Sequence, residues 1–442
     1  MPGAAKPGPA KRPRRLSRHM IAGLIARAVV HIFYQVDRAG TLPPGPVIIL
    51  PNHPNALLDP ALIWATAGRD VRFLAKSTLF HGLFGPLVRS SGAIPVFRKQ
   101  DEGADVSRNA EMFAAVDAAL AHGEALCVFP EGISHSTGKL EPLRTGAARM
   151  ALSAAAKGTP VQLVPVGINP DRKTSFRSRM TVVYGRPFPV EPGATVRELT
   201  SEVASRMRHL IVEADPEADA ALVIRIDQLY AAERETSVSA ESAVERRRLI
   251  ATGLARLRSD RPEWYEASLL QLRRYDQRLQ RFGLQDSVLD WNTSFGDAIR
   301  FTIRELPLAL VLVPVAAAAM LVFAVPYALT AASARLQKDT DVTATAKVIG
   351  GSVFYALWTV IVSVTAGKLF GSPAGWLTAT SLPLLAGAGL FAIERESSAL
   401  RTARAWLSLR GAHSNTRKRL RRHRAELADV LDEVNRSFSF DP

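Results

Sequence analysis

Residues 47–60 read Val47-Ile48-Ile49-Leu50-Pro51-Asn52-His53-Pro54-Asn55-Ala56-Leu57-Leu58-Asp59-Pro60. The apolar run at the start is typical of a buried strand. A histidine at its end is suited to general-base catalysis near neutral pH, and a nearby aspartate can fix its tautomer and stabilise its charged form. Five residues separate His53 from Asp59, and on a regular helix that offset turns two side chains about 120° apart. The segment must therefore be partly non-helical if the pair is to meet.

Three further apolar runs end in, or contain, charged or turn-forming residues. The run 92–98 ends in Arg98, whose guanidinium can bind a phosphate through two hydrogen bonds in a geometry that lysine lacks. The run 125–129 leads into Pro130-Glu131-Gly132-Ile133-Ser134-His135, and Pro165 lies in the run 162–168. Each feature also has an ordinary explanation. A histidine near an aspartate is often structural, an arginine at the end of a strand is commonly a surface residue, and proline and glycine commonly form turns.

The order and spacing of these four segments resemble the glycerol-phosphate and lysophosphatidate acyltransferases, whose four motifs would cover about residues 45–170 here. The resemblance implies that His53 is the base and Asp59 its partner. It also implies that Arg98, Glu131 and Gly132 bind the glycerol phosphate, and that Pro165 belongs to the acyl-donor side. No covalent enzyme intermediate is needed, because the alcohol can attack the thioester directly.

One departure from the family pattern points to a subgroup within the family. Most members place four residues between the histidine and the aspartate, whereas this chain has five. That spacing resembles the fungal glycerol-3-phosphate and dihydroxyacetone-phosphate acyltransferases, as do Pro60 and the stretches 143–146, 176–179 and 222–230. The resemblance implies first acylation, at the sn-1 hydroxyl. Acylation of 1-acyl-glycerol 3-phosphate at sn-2 is the alternative.

Several other side chains are secondary candidates. Lys76 and Arg144 are predicted to add positive charge to the phosphate site, together with Lys139, although an exposed lysine is the simpler interpretation of Lys76. His135 is close to Glu131 in sequence and has the alternative role of capping a turn. Cys127 is interpreted as buried packing because nothing near it in sequence would stabilise a thiolate.

Residues 41–215 alternate short apolar runs with helical patterns, which predicts an α/β domain with a mixed sheet. Helices are expected at 106–122, 143–157 and 196–214, the last beginning with a capping box of Thr195 and Glu198. Charged helical patterns dominate residues 216–300, which we interpret as a helical extension that links the α/β domain to the membrane.

Three stretches between residues 306 and 393 are apolar enough to cross a bilayer, namely 306–333, 348–367 and 375–393. Three crossings would put the basic residues before the first stretch and after the last on opposite sides. The prolines of the first stretch suggest that it is re-entrant or bent, leaving the last two as a hairpin around Gly371 and Pro373. Two or three membrane segments are therefore predicted, with the site on the cytoplasmic face.

The net charge of +15 is concentrated at the two ends of the chain. Residues 1–19 carry six basic groups and no acid, residues 397–424 carry nine and no acid, and the rest balances. We therefore divide the ends into a basic tail with an interfacial amphipathic helix at 1–40 and a basic tail at 394–442. The alternative for the apolar stretch 20–33 is a helix packed on the core. Because both tails flank apolar segments, anionic lipids are favoured over nucleic acid as their partner.

The remaining expectations concern cofactors and rival functions. A single cysteine and scattered histidines exclude a disulfide and the common zinc motifs, so neither a metal nor a cofactor is expected. Acyl-coenzyme A or an acyl carrier protein is expected as the donor substrate, with a glycerol phosphate as acceptor. The sequence does not indicate the oligomeric state. A membrane scaffold or tether is the non-enzyme alternative, and the presence of His53, Asp59, Arg98 and Glu131 together disfavours it.

Overall fold

The computed structural model describes residues 18–56, 58–81, 85–97, 109–135, 138–216, 219–234, 239–291, 294–336, 340–411 and 414–439. Arg98 and most of the N-terminal basic tail lie outside these ranges. Within them the chain forms an α/β domain, a helical extension and a group of apolar helices.

The α/β domain is built on one mixed sheet, as the sequence predicts. Its strands are β1 Tyr34–Ala39, β2 Val47–Pro51, β3 Val71–Lys76, β4 Ile94–Val96, β5 Ala125–Cys127, β6 Gln162–Pro170, β7 Ser178–Tyr184 and β8 Phe188–Pro189. They lie in the order β1-β7-β6-β2-β5-β3-β4, with β8 paired to β6. The neighbours are parallel except that β7 and β8 run antiparallel to β6.

Strand β2 lies in the middle of the sheet and is buried on both faces. Val47 and Ile49 pack into one hydrophobic cluster with the helices α1 Arg18–Phe33 and α2 Leu58–Thr66. Ile48 and Leu50 pack into a second cluster on the opposite face. That cluster includes the helices α4 Asn109–Ala121, α5 Gly146–Ala156 and α6 Val196–Arg208, and a short helix α3 Gly85–Ser90 precedes β4. Burial on both faces explains the continuous apolar run that identifies β2 in the sequence.

Helix α6 begins with the predicted capping box. The Thr195 hydroxyl accepts from the Glu198 backbone N–H, and the Glu198 carboxylate accepts from the Thr195 backbone N–H. The helix ends at Arg208, earlier than the predicted residue 214.

Helix α1 combines the two interpretations of the N-terminal apolar stretch. Val30 and Phe33 are buried in the domain core. On the opposite side Leu24, Ile25 and Ile32 are each more than half exposed. The helix therefore packs on the domain through one face and keeps a separate apolar stripe uncovered.

The helical extension contains α7 Ala220–Arg234, α8 Ala240–Asp260 and α9 Pro262–Arg281. A fourth helix, α14 Ser414–Ser439, packs against them, with Leu420, Leu427 and Ala428 buried in the shared core. This segment, which the sequence analysis places in the basic C-terminal tail, is therefore part of the core of the helical extension. Arg424 is buried between Glu233 and Asp290, with nitrogen to oxygen distances of 2.5 and 2.6 Å. Acidic residues of the extension thus neutralise a residue that the sequence analysis assigns to the basic C-terminal tail.

The apolar helices are α10 Phe295–Val322, α11 Ala324–Arg335, α12 Thr340–Phe370 and α13 Ser372–Gly411. Among the residues that the structure describes, three helices are long and apolar enough to cross a bilayer: Phe295–Val322, Ala346–Phe370 and Ser372–Arg410. The predicted stretch 306–333 is not one continuous helix, because the helix is interrupted at Phe323. Pro326 falls in the first turn of α11, where its missing N–H is tolerated.

Helices α10 and α11 double back, and so do α12 and α13. The Trp358 indole donates to the Val322 carbonyl at 2.9 Å, while an added methyl at Gly350 would lie 3.3 Å from the Ser333 hydroxyl. Helix α11 therefore runs antiparallel beside α12. Arg395 donates to Glu305 at 2.9 Å. The apolar part of α13 therefore ends beside the residue of α10 at which the apolar part of that helix begins. The turn between α12 and α13 is at Gly371, as predicted.

The crossing of α10 and α13 gives a direct test of this packing. A Cβ added at Gly389 would overlap the Ala319 methyl, whereas one at Gly387 has open space within 4 Å. We expect Gly389→Ala to lower the free energy of unfolding by about 1 to 3 kcal/mol, the usual effect of overpacking. Gly387→Ala is the matched control and should have little effect. Thermal denaturation of both variants in detergent measures this, and equal effects would contradict the described crossing.

Candidate active site

The site lies at the edge of the sheet where the parallel strands end. Strands β2, β3, β5 and β6 run in the same direction, so their carboxyl ends meet at one edge. His53 follows β2, Glu131 follows β5, and Lys76 is the last residue of β3. We call this edge the site edge.

His53 and Asp59 are in contact. The Nδ1 atom of His53 lies 2.8 Å from Oδ2 of Asp59. The intervening chain is partly non-helical, as the spacing requires, because Ala56 adopts a φ of +46° before helix α2 begins at Leu58. The same Asp59 oxygen accepts from the backbone N–H of Asn55 at 2.7 Å. Asp59 is thereby fixed in the first turn of α2, pointing back at the histidine.

The environment of the pair distinguishes its two members. Asp59 is fully buried, whereas the side chain of His53 is 18% exposed. Burial raises the pKa of Asp59 above its ordinary value, while the hydrogen bonds from His53 and Asn55 act in the opposite direction. A carboxylate here stabilises positive charge on the imidazole. Because Nδ1 binds Asp59, the nitrogen left to take up a proton is Nε2.

One aromatic contact and two backbone hydrogen bonds hold His53 in place. The ring of Phe129 stacks on it with centroids 4.0 Å apart and an interplanar angle of 20°. The backbone N–H of His53 donates to Oε1 of Glu131 at 2.8 Å, and the His53 carbonyl accepts from the His135 backbone N–H at 3.2 Å. The loop after β5 therefore contacts both the ring and the backbone of His53.

Glu131 is bound by the chain on both of its oxygens. It is 1% exposed, and besides His53 it binds the His135 ring and the Glu141 backbone N–H, the latter at 3.0 Å. The predicted contact of Glu131 with the acceptor stays a prediction. In the structure its carboxylate orients the loop that carries Gly132, whose φ is +75°.

The other predicted residues are spread around this edge. Pro165 lies on β6 opposite Leu50 of β2, so it is beside the strand that carries His53. Arg144 is exposed, and its aliphatic stem lies against Gly132. Lys76 is half-buried, and Lys139 pairs with Asp215 at 2.8 Å. Arg98 lies outside the described residues, and Val96, two positions before it, pairs with Lys76.

Two residues that sequence reasoning missed also support the site. The buried side chain of Asn52 accepts from the Ile168 backbone N–H at 2.7 Å and donates to the Ile168 carbonyl at 3.1 Å. It thereby ties the end of β2 to β6. The charge of Lys173 favours the ionised form of Asp59 and opposes the rise of its pKa. The position of Asn52 directly before the histidine was the available signal.

The single cysteine lies in the core, as expected from the sequence. Cys127 is buried, and its burial raises the pKa of the thiol well above the ordinary value, which disfavours a nucleophilic thiolate. Within the described ranges no group of three or more histidine, cysteine or acidic side chains could hold a metal ion.

Comparison with known proteins assigns the domain. Residues 33–169 match the family model described as Acyltransferase. These residues form an acyltransferase domain. The match includes His53, Asp59 and Glu131, together with the strands that carry them.

Several relatives match parts of the chain. Glycerol-3-phosphate O-acyltransferases 2 and 1 of Saccharomyces cerevisiae are 27% and 28% identical over 209 and 185 residues. These alignments cover 43% and 39% of this chain but only 27% and 24% of the yeast proteins. A chloroplastic 1-acyl-sn-glycerol-3-phosphate acyltransferase of Brassica napus is 26% identical over 161 residues, covering 35% of this chain and 45% of its own. The chain thus spans about a quarter of the length of the yeast relatives.

A solved structure was also found. The crystal structure of a 1-acyl-sn-glycerophosphate acyltransferase from Thermotoga maritima matches with a TM-score of 0.36 and 20% identity. The match covers 45% of this chain and 82% of that protein.

Glu131 offers a test that separates support of the acyltransferase domain from substrate binding. In Glu131→Gln an amide N–H₂ replaces one carboxylate oxygen and faces donors that need an acceptor. We expect a loss of about 1 to 3 kcal/mol in the free energy of unfolding. Thermal denaturation of the full chain in detergent measures it. Glu124→Gln, in an exposed pair with Arg72, is the control and should have little effect. Unchanged stability in Glu131→Gln with a raised acceptor KM would instead indicate direct acceptor binding.

Proposed function

We propose that this protein is a membrane-bound glycerolipid acyltransferase. It transfers a fatty acyl chain from an acyl thioester to the sn-1 hydroxyl of glycerol 3-phosphate or dihydroxyacetone phosphate. The observation that carries the proposal is the hydrogen bond from His53 Nδ1 to buried Asp59, at the site edge of an acyltransferase domain.

The geometry supports a direct transfer. The acceptor hydroxyl gives its proton to Nε2 of His53 as its oxygen attacks the thioester carbonyl carbon. A carbon–oxygen bond forms, and the tetrahedral intermediate collapses with loss of the carbon–sulfur bond. The departing thiolate takes the proton from the imidazolium, so the histidine returns to its starting state. Asp59 stabilises the transient imidazolium and keeps Nε2 as the proton acceptor.

The proposed acceptor rests on the relatives and on the five-residue spacing between His53 and Asp59. The two yeast relatives are named for glycerol 3-phosphate, which favours acylation at sn-1. The plant relative is named for 1-acyl-sn-glycerol 3-phosphate, so acylation at sn-2 is the second candidate. We assign the acceptor phosphate to Arg98, with Lys76, Arg144, Glu131 and Gly132 completing that side of the site. Pro165 is assigned to the donor side.

The proposed location is a membrane, with the site on the cytoplasmic face. The helix pairs α10–α11 and α12–α13 each double back, so both basic flanks of the apolar region lie on one side. This agrees with the preference of lysine and arginine for the cytoplasmic side. The pair α10–α11 then enters the bilayer and returns to the same side. Anionic lipids are the proposed partners of the basic N-terminal segment.

Removal of the base should abolish transfer. We expect His53→Ala to lower kcat by a factor of about 10² to 10⁴, the usual contribution of general-base catalysis. Asp59→Asn should also lose much of the rate, because an amide cannot stabilise the imidazolium in the same way. His122→Ala, an exposed histidine at the opposite edge, is the control. Radiolabelled acyl transfer by the purified full chain measures all three, and wild-type rates in His53→Ala would remove that residue from the mechanism.

The proposed phosphate contact predicts a selective effect on the acceptor. Arg98→Lys keeps the charge but loses the two-pronged hydrogen bonding. A charge-assisted hydrogen bond contributes about 1.5 to 3 kcal/mol, so the acceptor KM should rise roughly ten- to a hundredfold. The donor KM should stay nearly level. If neither constant changes, the phosphate site must be sought around Lys76, Lys139 or Arg144.

A further inference from the structure

The loop 171–177 between β6 and β7 contacts both the helical extension and the apolar helices. Asp171 accepts from Arg247 of α8 at 2.7 Å, and the Thr174 carbonyl accepts from Lys347 of α12 at 2.7 Å. Arg177 binds Glu394 of α13. The helical extension and the apolar helices therefore both contact the acyltransferase domain at this loop.

Arg177 makes the densest set of these contacts. Its guanidinium donates two hydrogen bonds to the Glu394 carboxylate. Nε donates to Oε1, and Nη2 donates to Oε2 at 2.9 Å. Its Nη1 donates to the carbonyl of His31 near the end of α1. Its backbone N–H donates to the Phe33 carbonyl at 2.6 Å, and its φ of +58° is rare for a residue other than glycine. One side chain thus joins the end of α1 to α13.

The strand directions place this junction on the same side as the site. Strand β6 is antiparallel to β7, with Pro170 opposite Met180, so the loop 171–177 leaves the sheet where β6 ends. Strand β2 is parallel to β6, with Pro51 opposite Val166, so it ends at the same edge, two residues before His53. The site edge is therefore the edge that faces α12 and α13.

Exposed apolar side chains surround the junction. Phe176, directly before Arg177, is 53% exposed and its ring packs edge-on to Phe33 at 5.7 Å. The uncovered stripe of α1, formed by Leu24, Ile25 and Ile32, ends at this point. Ile133, in the loop beside His53, is 43% exposed. The site edge faces helices that are apolar enough to cross a bilayer, which makes a lipid surface the fitting partner of these exposed groups.

We propose that Arg177 is a positioning residue that, through Glu394 and the end of α1, holds the site edge against the bilayer surface. It does not take part in the reaction, because its guanidinium is occupied by Glu394. The inference rests on the proposed function, since its purpose is to present His53 to acyl chains that partition into lipid. A lysine at this position keeps the charge but cannot reproduce the fork.

Donor chain length is the first readout. A hexadecanoyl thioester partitions into vesicles, whereas a butanoyl thioester stays in water. In Arg177→Lys, Arg177→Gln and Glu394→Gln we expect the hexadecanoyl to butanoyl ratio of kcat/KM to fall about tenfold or more, because small displacements of a bound substrate are costly. Arg179, two residues after Arg177, forms an exposed ion pair with Asp37. Arg179→Gln breaks that pair and should leave the ratio unchanged. If kcat/KM falls by the same factor for both donors, as a general loss of folding would cause, the proposal is overturned.

Depth in the bilayer is the second readout and needs no activity. An environment-sensitive fluorophore is attached at Ile133→Cys, with His122→Cys at the opposite edge as the control. In vesicles of phosphatidylcholine and phosphatidylglycerol, the probe at 133 should be shielded from a water-soluble quencher and the probe at 122 should not. Adding Arg177→Gln should expose the probe at 133.

The two readouts separate the inference from the proposed function. Shielding at 133 that depends on Arg177, in a wild-type chain inactive with every donor, would support the positioning role and refute the acyltransferase activity. Active wild-type protein in which Arg177→Gln changes neither the quenching nor the chain-length ratio would overturn the positioning role alone.

Discussion

The hydrogen bond between His53 and Asp59 is the constraint around which the site is arranged. It requires the chain to leave β2, turn through a left-handed Ala56, and begin α2 within one residue of Asp59. Strand β2, which leads into this turn, is buried on both faces in the middle of the sheet and is paired with β5 and β6. Asn52 adds a second restraint by fixing the end of β2 to β6.

Two buried carboxylates give this edge its order. Asp59 and Glu131 are almost completely excluded from water, and an isolated buried carboxylate is strongly unfavourable. Both are stabilised by donors supplied locally: Asp59 by the imidazole and one backbone N–H, Glu131 by two backbone N–H groups and the His135 ring. Since both carboxylates bind parts of the same histidine, one to its ring and the other to its backbone, His53 is fixed in position and orientation. Such preorganisation is what general-base catalysis needs.

Much of this could be predicted from residue patterns, and the failures have physical causes. Strands buried on both faces produce continuous apolar runs, which is why β2, β5 and β6 are visible in the sequence. Strand β1 is not, because it lies at the edge of the sheet and exposes Asp37 and Arg38. The packing of α14 was missed because the partners of Arg424 lie more than a hundred residues away in the chain. The contacts by which Glu131 holds the loop were missed because its partners include backbone N–H groups, which no residue pattern identifies.

The central claim is that the site joins an acyl group from a thioester to a glycerol phosphate hydroxyl. The most direct measurement is product analysis by mass spectrometry, with purified full-length protein, an acyl-coenzyme A and glycerol 3-phosphate, while the released thiol is counted in the same reaction. The account predicts one thiol released for each molecule of 1-acyl-glycerol 3-phosphate formed, and no thiol release when the acceptor is omitted. Thiol release that continues without acceptor and yields free fatty acid would show a thioester hydrolase and contradict the account.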